Sequence, residues 1–143
     1  MASHTTNYSD TFIAVAPDSS APGGVEPPAK ATIASRTFEL ISQAPYGRTS
    51  DDVIFTVWAE RNGVPAEEWD AAREEFFSVG RACLRSSDLG KRYGWGLHFN
   101  AEGRVALVAS RTPEYEQLAS GTGPDARPVT VIHAMRSARP TRG

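Results

Sequence analysis

The sequence predicts an α+β domain, and three observations carry that prediction. Short apolar runs rich in β-branched residues stand near the start, in the second half and near the end of the chain. Segments with helical apolar spacing lie between the first run and the others. The order strand, helices, hairpin, helix, strand lacks the regular alternation of βαβ units. The expected architecture is one compact domain over residues 1–143. Its sheet is mostly antiparallel, with about four strands, and three main helices pack on one face.

Residues 11–16, TFIAVA, read as a strand that Pro17 and Asp18 end. Residues 17–30 hold four prolines and two glycines, so they form a surface loop. A loop of that length is either mobile or functional. Residues 32–43 read as a helix that Thr32 caps, with Ala34, Phe38 and Ile41 on one face. Alternation at residues 37–40 keeps a strand open there. Pro45 stops the element, and Tyr46 and Gly47 turn the chain.

The next helix carries the clearest signals. Thr49 and Asp52 stand at capping-box spacing, or Ser50 caps directly. Asp51 and Asp52 place negative charge in the first turn, where the helix dipole favours it. Ile54, Val57, Trp58 and Arg61 share a face, which Val53 and Phe55 widen. Asn62-Gly63 ends the helix. Pro65 starts a third helix, which ends near Ser78 or Gly80 and buries Trp69, Ala72, Phe76 and Phe77.

Residues 94–100 alternate. Trp95, Leu97 and Phe99 face one way, and Gly94, Gly96 and His98 the other. Turn residues 100–103 lead to a second run at 104–109, so the two make a β-hairpin. Residues 113–119 read as a short helix and residues 129–135 as a last strand. Residues 1–9 and 137–143 are expected to fray.

Composition narrows the function classes. Apolar residues make up 40% and charged residues 22% of 143, which excludes wholesale disorder. The net charge of −2 speaks against a general DNA-coating protein, so nucleic acid is not an expected partner. Residues 1–80 carry 5 basic and 12 acidic groups, and residues 81–143 carry 10 and 5. The halves either pack on each other or present a basic face to an anionic partner. No secretory signal or membrane-spanning run is visible, and one cysteine suits a reducing compartment, so the expected location is the cytoplasm.

Glycine-rich dinucleotide, P-loop, H-E-x-x-H and G-x-S-x-G motifs are absent. His4, His98 and His133 lack metal-ligand neighbours at useful spacing. No cofactor and no metal are therefore expected. The densest polar segment is 81–95, with Arg81, Arg85, Lys91 and Arg92 opposed only by Asp88. Arginine forks and serine hydroxyls suit a phosphate or carboxylate. Arg85, Ser86, Lys91, Arg92 and Tyr93 are the candidate ligand-binding residues. The bland alternative is that these cations lock the loop to the acidic helices.

Catalytic candidates are Cys83, His98 and Asp51. Cys83 lies between Arg81 and Arg85 and needs His98 within reach to act as a nucleophile. Otherwise it is a small buried filler. His98 lies on the glycine side of its strand, where a packed element or a pocket must fill the room. Asp51 serves a helix start, or holds Arg85, or orients His98.

The segments NYSDTFIAVAPD, PYGRTSDDVIF, FFSVGRACLRSSDLGKRYGWGLHFNAEGRVAL and HAMRSAR resemble an uncharacterised family of small bacterial proteins, known only as a domain of unknown function (family 6157). The resemblance runs from Asn7 to Arg139, and residues 49–55 and 76–98 define it. The family pattern implies a cysteine near Ser19, an aromatic residue near Arg48 and a Gln at Arg81. This chain departs there, so Cys83 has no partner thiol. The resemblance implies no activity. The expected function is a cytoplasmic module that uses residues 81–95 to bind an anionic small molecule or a protein partner. The alternative is an enzyme acting on an anionic substrate, with Cys83 as nucleophile or His98 as general base.

Overall fold

β1 (Thr11–Ala14) is the hinge of the architecture, buried along its whole length. The structure is a computed structural model that describes residues 4–137. β1 pairs antiparallel with β2 (Trp95–Phe99) and parallel with β4 (Thr130–His133). β2 pairs antiparallel with β3 (Val105–Ala109), so the sheet order is β3-β2-β1-β4. Two of its three pairings are antiparallel, and the sheet is mixed. The β2–β3 turn is built by Asn100, whose Oδ1 accepts from the backbone of Glu102 and Arg104. Gly103 there has φ +78, a conformation glycine adopts without steric cost.

Alternation along the strands gives each face a separate core. Ile13, Leu97, Phe99 and Val105 face α1 (Ile33–Gln43) and α2 (Ser50–Arg61). Thr32 caps α1 and Thr49 caps α2, the latter in a capping box with Asp52. α2 is apolar on more than one side because it is covered twice. Val53 and Val57 join the sheet core, while Phe55 and Ala59 meet Phe76 and Phe77. The latter come from α3 (Trp69–Phe76) and the residue after it, so α3 leans on α2. A single 3₁₀ turn, Ala66–Glu68, leads into α3 and shortens the helix expected from Pro65.

The opposite face carries Phe12, Ala14 and Val108, covered by Tyr115 and Leu118 of α5 (Pro113–Ala119). The sheet thus has helical cover on both sides. The room left by Gly96 is filled by the Phe12 and Tyr115 rings, which meet edge to face at 5.1 Å. Residues 17–30 have no regular structure, yet they are tied down. The Val25 amide donates to Tyr93 O, and Trp95 Nε1 donates to Val25 O.

The expected fraying of residues 1–9 is corrected for residues 4–8. The His4 amide donates to Phe77 O, and Thr6 is buried against α2. Residues 1–3 and 138–143 lie outside the described residues. Among the described residues, no helix is long and apolar enough to cross a membrane.

Candidate functional site

The start of α2 is occupied by the chain itself. The Asp51 carboxylate accepts from Thr5 Oγ1, from the Thr6 amide and from Thr6 Oγ1, each at 2.7 Å. Asn7 Oδ1 accepts from the Asp51 amide in return. Asp51 therefore anchors the N-terminal segment and is not turned toward Arg85 or His98. Asp52 closes the capping box and pairs with Arg73 at 2.9 Å.

The basic segment does not gather its charges in one place. Arg85 Nε donates to His133 O at 2.9 Å, and Arg85 O accepts from the Met135 amide, so Arg85 fastens the end of β4. Ser86 Oγ donates to Cys83 O within a short 3₁₀ turn, Leu84–Ser86. Ser87 caps α4 (Asp88–Lys91), a single helical turn within the polar segment 81–95. Arg92 lies 3.7 Å from Asp88, one turn back. Of the five candidate ligand-binding residues, only Ser86 lines a described cavity.

That cavity is a cleft of about 470 Å³ between α1, α2 and residues 81–88. Ile33, Ile54, Val57, Trp58, Phe76 and Leu84 form its apolar walls. Ile33 is 59% exposed there, an unusual position for a large aliphatic side chain. Arg61 and Arg81 supply positive charge at the same cleft. Arg61 donates to Ala31 O, and Arg81 donates to Phe76 O with its guanidinium 3.9 Å from the Phe76 ring centre. Neither makes an ion pair among the described residues. Arg61 was legible only as a member of the Ile54–Trp58 face; its role at the cleft needs the 81–88 segment folded across that face.

Cys83 is half-buried on the cleft wall, and its thiol lies 3.2 Å from Tyr8 Oη. Burial, with the Cys83 contact adding to it, pushes the Tyr8 phenol up to about 12. His98 does not approach this thiol. It points to the α5 face, whereas Leu97 and Phe99 beside it point to the core that contains Leu84. The sheet separates the two side chains, so the Cys83–His98 pairing that a nucleophile would need is not formed.

His98 instead lines a smaller cavity of about 270 Å³ with Asp10, Tyr46, Glu102, Gly123, Asp125 and Arg127. Tyr46 Oη and His98 Nδ1 are 2.7 Å apart. Burial holds the His98 imidazole below its usual pKa, although Asp10 and Glu114 oppose the shift. Arg127 grips Asp10 with two bonds of 2.6 and 3.0 Å and holds that carboxyl below the usual range. Asp10, Tyr46 and Asp125 have φ between 47° and 59°, in the left-handed region that L side chains avoid. Both readings of the glycine side hold in part: packing fills the space at Gly96, and a cavity opens at His98. Among the described residues, no cluster of three or more His, Cys, Asp or Glu could hold a metal ion.

Fold and site together define a mixed-sheet α+β protein with an amphipathic cleft between its helices and a polar cavity behind its sheet. The chain belongs to a family of unknown function (DUF6157), whose sequence profile matches residues 3–140. This is the family that its sequence segments resemble. No curated protein and no solved structure matches the chain.

Proposed function

We propose that the protein is a binding module of the bacterial cytoplasm, and that its ligand is a small molecule with an apolar body and an anionic group. The cleft between α1, α2 and residues 81–88 is its site. The observation that carries this reading is the pairing of apolar walls with Arg61 and Arg81 in one cleft of about 470 Å³. Ligand pockets commonly combine a mostly apolar lining with a few placed polar groups. Asp88 also borders the cleft, but Arg92 lies beside it and reduces its repulsion of an anion. Ser86 and Ser87 add hydroxyls on the same wall. The reading keeps the anionic ligand expected from the sequence and moves its cations from Arg85, Lys91 and Arg92 to Arg61 and Arg81. The lone cysteine supports a reducing compartment.

Octanoate tests it, followed by fluorescence of Trp58 on the cleft wall. Saturable binding is expected, with octylamine much weaker. Arg61→Ala and Arg81→Ala should each weaken octanoate by roughly tenfold, since a charge-assisted hydrogen bond contributes about 1.5–3 kcal/mol. Lys91→Ala should leave the affinity unchanged. Equal affinity for octylamine, or no saturable response to octanoate, rejects the reading.

A further inference from the structure

The cavity behind the sheet carries a second inference, independent of the cleft. His98 is only 4% exposed, and its Nδ1 is engaged by Tyr46. Its Nε2 makes no hydrogen bond within the described residues. Yet no buried side-chain nitrogen or oxygen there lacks a partner. Nε2 must therefore be reached from outside, through the cavity that His98 lines. Gly123 lies beside that approach: a Cβ there would stand 3.7 Å from Nε2, in van der Waals contact with it. A nearly buried imidazole with one nitrogen held and the other open offers a single directed polar contact.

The charge around the cavity selects its ligand. Asp10, Glu102, Asp125 and Arg127 line it, and Glu114 of α5 acts on both His98 and Tyr46. Arg127 is committed to Asp10. Glu102 and Asp125 make no ion pair among the described residues. A carboxylate entering here meets an excess of negative charge, which Arg127 beside Asp10 and Glu102 offsets only in part, whereas a cation is attracted. When Nδ1–H donates to Tyr46 Oη, Nε2 presents a lone pair. We propose that this cavity is a second binding site, which takes a small primary ammonium ion that donates to His98 Nε2 and faces Glu102 and Asp125. A volume of about 270 Å³ has room for a short amine.

The test is an NMR titration of the full chain, reading the His98 imidazole signals against added ethylammonium, with sodium acetate at matched ionic strength as the counter-probe. His98→Gln identifies the signals. Ethylammonium should give a saturable shift, and acetate none. Glu102→Gln combined with Asp125→Asn changes two exposed side chains, and Asn tolerates the left-handed backbone at residue 125. This variant should weaken ethylammonium by about threefold to tenfold, the scale of two partly exposed charge contacts. No saturable response to ethylammonium, an equal response to acetate, or an affinity that the double variant leaves unchanged would each overturn the assignment.

Discussion

Tyr46 wraps around the edge of the sheet to place its hydroxyl 2.7 Å from His98 Nδ1, on the face opposite α1 and α2. Its amide donates to Val105 O on the edge strand β3, and its ring meets the imidazole edge on. Ala106 pairs with His98 across the β2–β3 ladder. A tyrosine from a turn thus partners one ring nitrogen of a buried histidine on the strand next to the sheet edge.

Removing that hydroxyl isolates one polar nitrogen. Tyr46→Phe leaves His98 Nδ1 buried without its partner, which costs about 1–3 kcal/mol. Urea denaturation should show a lower midpoint with an unchanged slope. A wild-type midpoint would mean that the bond contributes nothing to stability.

The same histidine sets a pH dependence. Burial lowers its folded-state pKa below the ordinary value of 6.5. Between the two values the unfolded chain binds more protons than the folded one, so stability rises with pH in that window. On acidification from neutrality, stability should fall as pH drops below about 6.5 and level off beneath the folded-state value. Carboxylates held low by ion pairs, such as Glu60 beside Arg36, lose their contribution only at more acidic pH. His98→Gln should flatten the slope just below neutrality. An unaltered slope in that variant would assign it to other groups.

Asp51 joins the first described residues to α2. Asp51→Ala removes the acceptor for three hydrogen bonds from Thr5 and Thr6. The loss should be about 3 kcal/mol, since each bond to a charged group contributes roughly 1.5–3 kcal/mol and the freed donors regain water. Hydrogen exchange should speed up at the Thr6 amide before it does in β1. Retained protection at Thr6 would show that the segment is held by something else.

Two glycines should respond oppositely to alanine. A Cβ at Gly96 would lie 2.5 Å from Phe12 Cζ and 3.0 Å from Tyr115 Cε2, inside a core where Phe12 has no exposure. Overpacking of that kind costs about 1–3 kcal/mol. At Gly80 the nearest neighbour would be His4 Nδ1 at 3.9 Å, so Gly80→Ala should stay within about 0.5 kcal/mol of the parent. Thermal melts of both variants decide it, and equal melting temperatures would reject the packing account.

Much of the architecture was legible because its signals are short in range. The Thr49–Asp52 capping box formed as its spacing indicated, and Thr32 capped α1. The β2–β3 hairpin followed from alternation and from the Asn100–Gly103 turn. α4 was missed although Ser87-Asp88 is a capping signal, because four residues around a glycine read as loop. The shorter α3 reflects a 3₁₀ entry that spacing alone does not distinguish from helix.

The candidate site was legible only as a region. Residues 81–84 and 86–88 border the cleft, but the sequence could not say which arginines turn into it. Arg85 reaches a carbonyl 48 residues away, and that bond decides its role. Arg61 acquired a place at the cleft only when a segment twenty or more residues later crossed the face of α2.

The sequence by itself determined the α+β class, the hairpin, the capped starts of α1 and α2 and the wide apolar stripe of α2. These follow from backbone sterics, capping and alternation over a few residues. The tertiary structure decided that β1 lies between β2 and a parallel β4, that α5 covers the second face, and that Cys83 and His98 stand on opposite sides. Those outcomes rest on contacts as remote as Arg127 to Asp10, 117 residues apart. Such contacts form only when complementary surfaces meet, and no local pattern encodes which surfaces will do so.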